Sequence, residues 1–436
     1  MTYTSAPELI AIEALRIGMF VHLEGGWMSH PFPISNFRIA SADQIATLAS
    51  LGLKQVRWSP RRSVLAPEAA QPAAASAPAA QSRSAPASTS SDERTTGELR
   101  ERARAERRAQ RVCEQQFSEA AVACRKMTAL VREQPLAAAT SARALTGALT
   151  DKMIGSHELC VRLLGEAAGD RAAVHAMNVA VLALLLGRVC QLDAVEMLDM
   201  GVGALLHDIG KLELPEGVRH ASETFTPAQV RAYQDHVGQG VLHAGRMALS
   251  PGATLVIAQH HEHADGSGFP QRLGSERLSA ASRIVSIVDR YDNLCNPHVG
   301  ANSATPHEAL ARLFVNGRAT YDDAILGAFI RMLGIYPPGS TVQLTDDRYG
   351  LVVGANSSRP LRPRVRVHDP RIAPDDALLI DLEMTPGLGI RRSLKPSQLP
   401  SRAVECLAPS ERVAYFFEPA LMASVEAEES VLSSIT

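Results

Sequence analysis

GVGALLHDIGKLELP, residues 201–215, is the stretch on which the reading of this 436-residue chain turns. Val202, Leu205 and Leu206 form an apolar helical run that delivers His207 and Asp208 side by side. Gly210 breaks the helix, and Lys211 follows within one turn. Adjacent residues do not share a helix face. At a helix end, however, they can flank one point from two directions, an imidazole nitrogen beside a carboxylate oxygen. That pair suits a divalent transition metal, and the carboxylate can bridge two. Taken alone, the stretch reads as well as a capped helix end. Gly210 would then sit just past the cap, Lys211 would complement the helix dipole, and His207 and Asp208 would be solvated.

The surrounding histidines shift that balance. His175 lies near the start of an apolar helix, AAVHAMNVAVLALLLG. His236 lies in YQDHVGQG, followed by Gly238, which would let another backbone approach closely. His260 and His261 are paired in LVIAQHHEH, and Asp289 ends the apolar run of RIVSIVDRYDNL. One buried histidine on an apolar helix is ordinarily a satisfied core residue. Five of them, with carboxylates at helix ends, are not, because each unpartnered buried polar group costs about 1–3 kcal/mol. A metal centre is the partner they could share.

Composition bounds the rest. The length favours two to three domains, and a net charge of −2 offers no basic footprint for nucleic acid. Six cysteines without a CxxC pair fit reduced thiols in the cytoplasm rather than a disulfide framework or zinc knuckle. No signal peptide is visible at the N-terminus. The longest apolar run, Val179–Leu186, is short of the roughly 20 residues that span a bilayer.

In chain order, residues 1–58 read as a small α+β module. LRIGMFVHL is strand-like, a helix follows capped by Ser41 or Asp43, and Gln55–Trp58 is a short strand. Trp27, Phe32 and Phe37 are core or a ligand face. Residues 59–92, rich in Ala, Pro and Ser, read as a disordered linker. Residues 93–135 form a charged helix, either solvated or a dimerising coiled coil. Residues 136–336 are helix after helix. Period-two patterning over 337–420 marks a small β-rich extension, with a hairpin turned at 346–350, and 421–436 is an acidic tail. The fold class expected is mainly α, with small α+β and β-rich modules at the two ends.

The series His175, HDIGK (207–211), His236, HHEHADGSGFP (260–270) and Asp289-Arg-Tyr-Asp resembles the HD-GYP phosphodiesterases, a subgroup of the HD metal-dependent phosphohydrolases. The resemblance covers roughly 140–335. Residues 1–58 are similar to the small domain of unknown function that often precedes HD-GYP domains. The resemblance implies an all-helical domain that hydrolyses the bacterial messenger cyclic di-GMP, to the linear dinucleotide or GMP, at an iron or manganese centre. It implies that His175, His207, Asp208 and Asp289 hold a first metal. Asp208 would bridge to a second, completed by His236, His260 and His261, and a metal-bridging hydroxide would attack. Two metals about 3.5–4 Å apart suit such an in-line displacement, and imidazole and carboxylate ligands suit iron or manganese better than a thiolate-selected metal. Lys211 would meet the developing phosphate charge. Asp265, Gly266, Gly268, Phe269 and Pro270 would form the signature substrate loop, with Phe269 for the usual Tyr. Read alone, that loop is an ordinary tight turn.

Two further departures bear on function. Members with a third metal carry a Glu four residues before the first histidine; here Arg171 stands there, which implies a binuclear centre. The family's basic substrate-contact segment is replaced by NPHVGA, with His298 and Ala301 where cations would be. A neutral His holds phosphate less well than a guanidinium. Three readings follow: a cyclic di-GMP phosphodiesterase, a non-catalytic metal or nucleotide module that signals through protein partners, and a hydrolase of another cyclic dinucleotide. Partners of diguanylate-cyclase type and a homodimer fit all three.

Overall fold

The computed structural model describes residues 8–23, 36–39, 44–45, 48–49, 53–63, 90–154, 159–165, 170–222, 224–298, 303–317, 319–356, 361–370 and 377–419. The chain divides into two units, Met1–Arg108 and Ala109–Thr436. The expectations for Trp27, Phe32, Ser41, Asp43, Ala301 and the tail 421–436 lie outside the described residues, as does the linker from 64 to 89.

In the first unit, strands β1 (Glu8–Ala11), β2 (Phe20–His22), β3 (Asn36–Arg38) and β4 (Gln55–Trp58) form an antiparallel sheet in the order β1-β4-β2-β3. Gly18, at φ +94°, takes the left-handed turn into β2. Val21, Leu23, Ile39, Leu48 and Val56 build the core with Ile12, Leu15 and Met19. This module extends past 58 into the span expected to be linker. The Ser59 N–H donates to the Phe20 carbonyl, the Ser63 hydroxyl accepts from the Phe20 N–H, and Arg62 lies over the Phe20 ring. These contacts satisfy the β2 backbone, so the chain leaves the module only after 63.

Helix α1 (Ser90–Leu130) starts inside the expected linker. Its C-terminal half departs from both readings of a charged helix. Cys113, Phe117, Ala120, Ala121, Cys124 and Met127 are buried at spacings of three and four, which places one apolar stripe against the second unit's own core. Phe117 meets Phe416 edge to face, and the Cys113 thiol faces the Phe417 carbonyl. Arginines fill the N-terminal part of the helix and mask this late stripe in the sequence.

The second unit then runs through α2 (Pro135–Ile154), β5 (Leu159–Leu163), α3 (Arg171–Val189), α4 (Ala194–Leu206), α5 (Pro227–Arg246), α6 (Pro251–Gln259), α7 (Ala280–Cys295), α8 (Pro306–Gly317) and α9 (Asp323–Leu333). Local chemistry starts these helices. Asp193 and Glu196 make a capping box on α4, and Thr226 and Gln229 make one on α5. Ser250, Ser279 and Asp322 cap α6, α7 and α9. Helix α3 has the length and apolarity to cross a bilayer, but Met177 and Val179 to Leu186 are buried in the bundle, against α4 and α7. Each fully buried large apolar side chain there contributes about 1.5–3 kcal/mol.

After α9 come β6 (Thr341–Leu344), β7 (Tyr349–Asn356), β8 (Arg364–His368), β9 (Leu378–Asp381), β10 (Ile390–Leu394), α10 (Ser401–Leu407) and β11 (Tyr415–Pro419). Strands β6 and β7 form the expected hairpin. The boundary drawn at 337 does not separate this sheet from the helices. Strand β5 sits between β7 and β11, antiparallel to both, in a seven-stranded sheet. The LCVRL run of β5 is too short to be told from a helical segment by periodicity, and its partners are distant in the chain.

Candidate metal centre

Helix α4 ends at His207, and Asp208 opens a 3-10 turn, Ile209–Glu213. Gly210 is not a left-handed cap. A Cβ there would lie 1.9 Å from the His236 carbonyl oxygen and 2.5 Å from the Gly240 nitrogen. Glycine is needed so that the turn can lie against the backbone of α5. The close-approach role expected of Gly238 falls to Gly240 instead: a Cβ on Gly238 would meet nothing within 4 Å, whereas one on Gly240 would lie 2.9 Å from Ile257. This contact holds Asp208 and Lys211 beside His236.

Four imidazoles are tied down at Nδ1. His207 donates to the Ala204 carbonyl at 2.7 Å, His236 to Tyr233 at 2.6 Å, and His260 to Ile257 at 2.8 Å. His175 donates to Asp292 Oδ2 at 2.6 Å. Each Nε2 is thereby left as a lone pair facing inward. His175 and His207 bring these atoms to 3.2 Å, and His236 and His260 to 3.4 Å. Paired lone pairs at such distances repel unless a cation or proton lies between them. Asp208 spans both sets. Its Oδ2 is 3.4 Å from His207 Nε2 and 3.7 Å from His175 Nε2, while Oδ1 is 3.6 Å from His236 Nε2 and 3.8 Å from His260 Nε2. Asp289 Oδ1 lies 3.2 Å from His175 Nε2 and 3.5 Å from His207 Nε2, and its Oδ2 lies 3.9 Å from His261 Nδ1.

Two clusters of donor atoms result: His175, His207 and Asp208, and Asp208, His236, His260 and His261. Asp208 Oδ1 and His261 Nε2 are buried without a hydrogen-bond partner. The donor set fits divalent cations, since orphaned atoms of this kind carry a desolvation cost that a cation removes.

Electrostatics follow the same division. Burial opposes a charged His175, but the carboxylates of Asp289 and Asp292 outweigh it and hold the ring up at about 10. Burial likewise opposes charge on His207, and Asp208 and Asp289 lift it to about 9. Burial and neighbouring imidazoles push His260 well down, and burial brings His261 to about 3 despite Asp289. Burial disfavours the Asp208 carboxylate, yet Lys211 and His207 hold it well below the usual range. Lys211 Nζ donates to Asp208 Oδ2 at 2.6 Å and lies 5.4 Å from the centre of the Tyr233 ring.

Supporting residues to which the sequence assigned no role surround the candidate ligands. Asp292 is fully buried and accepts from His175, Asn178 and Asn296. Asn293 donates to Asp289 Oδ1 at 2.7 Å. Asn178 also bonds the backbone of Val413 and Tyr415, as Asn296 does that of Val413. The spacing signal was present, for Asn178 lies three residues after His175 and Asp292 three after Asp289, each on its ligand's helix face.

The signature loop serves the paired histidines. Phe269 stacks on His261 at 4.6 Å, and its N–H donates to the His261 carbonyl. A Cβ on Gly268 would strike the backbone of Glu262 and His263 at 2.5 Å. Gly266 takes φ +77°. Buried Glu262 accepts from the Gln271 and Leu273 N–H groups and fastens the loop. Asp265 and Pro270 are exposed, and the Asp265 carboxylate accepts from the Ser267 N–H. His298 is exposed and is contacted by Arg171, which donates to its carbonyl at 2.6 Å.

Comparison with known proteins agrees with this architecture. Residues 9–142 match the model of a domain of unknown function, DUF3391, and residues 149–325 match that of an HD domain. A cyclic di-GMP phosphodiesterase of Pseudomonas aeruginosa is 28% identical over 374 residues, 82% of this chain and 84% of that protein. A 3'3'-cGAMP-specific phosphodiesterase of Vibrio cholerae is 28% identical over 176 residues, 39% of this chain and 37% of that protein. Among solved structures, an HDGYP protein from Bdellovibrio bacteriovorus aligns over 74% of this chain and 98% of its own, at 13% identity and a TM-score of 0.40. The chain thus joins a DUF3391 segment to an HD domain, the arrangement that the histidine and aspartate series implied.

Proposed function

We propose that this protein is a metal-dependent phosphodiesterase that hydrolyses cyclic di-GMP in the bacterial cytoplasm, acting through a binuclear iron or manganese centre. The observation that carries this reading is Asp208, whose two oxygens face two separate histidine clusters. His175, His207 and Asp289 would hold one cation and His236, His260 and His261 the other, with Asp208 shared between them. Arg171, one turn before His175, offers no ligand for a third. Such a pair of cations supplies Lewis acidity and a water of lowered pKa at neutral pH.

The chain's own groups do the rest. Lys211 stays protonated beside Asp208 and offers its ammonium to phosphate oxygens as charge builds. Carbonyl and carboxylate acceptors fix four imidazole tautomers before substrate arrives, so ligand geometry needs no reorganisation. Tyr233 and Phe269, packed on His236 and His261, wall one side with apolar surface and strengthen the electrostatics within. The Vibrio cholerae similarity favours a second reading, another cyclic dinucleotide as substrate.

The test is anaerobic purification with metal analysis, then turnover of cyclic di-GMP and 3'3'-cGAMP beside an Asp208→Ala control. About two metals per chain with Asp208-dependent cyclic di-GMP cleavage is the expected outcome. Cleavage confined to cGAMP moves the substrate to the second reading, and metal without turnover of either sinks the enzyme.

A further inference from the structure

A further group of side chains, distinct from the ligand clusters, gathers around one cation, Arg171, and two imidazoles, His298 and His220. Arg171 is the first residue of α3, four before His175, so the two share a helix face. Its Nη1 donates to the His298 carbonyl at 2.6 Å and lies 3.5 Å from His298 Nδ1. The His298 ring lies against that of His220. Burial and then the positive charges of Arg171, Lys211 and His175 push His298 down. Burial, followed by His298 and Lys211, brings His220 to about 4. Through Arg171, one helical turn from His175, the group adjoins the edge of the centre.

One permanent charge, that of Arg171, stands in this group without a counter-ion among the described residues. Arg171 makes no ion pair with a carboxylate among the described residues, and its remaining N–H groups point to no protein acceptor there. A cation at a helix N-terminus opposes the helix dipole, and anions are the favoured occupants of that position. The first turn of α3 holds no acidic residue, and the N-cap residue Asp170 makes no side-chain bond to the helix. Arg171 and His298 are exposed and His220 is half-buried, so the group is open to a ligand.

We propose that Arg171, steadied by the His298 carbonyl and flanked by His220, docks the phosphodiester of the substrate that is not being cleaved. A guanidinium binds a phosphate through a fork of N–H donors. Arg171 thus supplies, from the start of α3, the cation that Ala301 and the His298 side chain do not. The assignment rests on the phosphodiesterase reading, since only a substrate with two phosphodiesters can engage the centre and this rim together.

The experiment compares cyclic di-GMP with bis(p-nitrophenyl) phosphate, which has a single phosphodiester, in the metal-loaded full chain. Arg171→Ala should raise the KM for cyclic di-GMP about tenfold or more, leaving kcat and metal content unchanged. Its constants for the small diester should stay within about twofold. Arg171→Gln keeps a donor for the His298 carbonyl but loses the charge, and should match the alanine variant. Arg171→Lys should fall between. His298→Ala retains the carbonyl and should cost only a few-fold in KM. An unchanged cyclic di-GMP KM in the alanine and glutamine variants overturns the assignment, as does equal loss with both substrates. Asp208-dependent cleavage of the small diester by wild-type protein, without cleavage of cyclic di-GMP, refutes the substrate reading itself and removes the basis of the rim.

Discussion

Replacing Gly210 with alanine is a stringent test of how the centre is assembled. The added methyl would sit 1.9 Å from the His236 carbonyl oxygen and 2.5 Å from the Gly240 nitrogen, about 1.5 Å short of comfortable contact at the closest point. Both obstacles are backbone atoms of α5, which cannot rotate aside as a side chain would. The 3-10 turn must lift from α5, carrying Asp208 and Lys211 away from His236. Overpacking of this kind costs about 1–3 kcal/mol, and displacement of a reactive group by about 1 Å costs on the order of a hundredfold in rate. Gly238→Ala is the matched control, because a methyl there meets open space in the same helix. Removing a mid-helix glycine should stabilise that variant by about 0.5–1 kcal/mol. Metal content, thermal midpoint and cyclic di-GMP turnover would be measured on both. If Gly210→Ala keeps wild-type values of all three, the turn is not held by contact with α5 and the account of the site is wrong.

Other consequences can be checked alongside. Asp292→Asn preserves shape but removes the carboxylate behind His175, and should weaken metal retention about 10–100-fold in chelator competition; unchanged retention would show that Asp292 merely packs. Metal uptake should strengthen as pH rises from 6 toward 9, because the metal-free rings of His175 and His207, held up at about 10 and 9, must lose protons to become ligands. The same raised values mean that their proton-linked stabilisation of the metal-free protein is complete below the unfolded value of about 6.5 and fades as pH passes 9 to 10, which urea melts of chelator-treated protein would reveal. Arg132→Ala breaks an exposed pair with Glu213, so its urea midpoint should reflect a change below about 1 kcal/mol with turnover intact. A larger loss would mean that the turn after α1 braces the Asp208 segment.

The candidate ligands stood out in the sequence because most are polar residues stranded in apolar runs, where the cost of burial demands a partner. Their support did not. Asp292, Asn178 and Asn296 look like ordinary helix polars until the fold brings them under His175. Glycines were read with mixed success for a related reason: composition marks where a backbone can be approached, while only packing says which of Gly238 and Gly240 is used. Helix starts followed from local caps and were accessible, as at Asp193 and Thr226. Strands β5 and β11 depend on a pairing between segments far apart in the chain, which no local pattern encodes. The buried stripe on α1 was hidden by its arginine-rich beginning. Arg171 was visible only as an absent ligand, and its contact with His298 gave it a different meaning.

The asparagine clasp on the C-terminal strand sets an order of events during synthesis. Asn178 binds the backbone of Tyr415, 237 positions further along, and Asn296 binds that of Val413. On the ribosome, the segments bearing all seven candidate ligand side chains emerge long before β11 does. Until then β5 lacks one of its two neighbours, and the asparagines that steady Asp292 have no backbone to grip. A nascent chain that stops short of β11 therefore carries the candidate set in an unlatched form. The support behind His175 closes only once β11 has been made and docked beside β5.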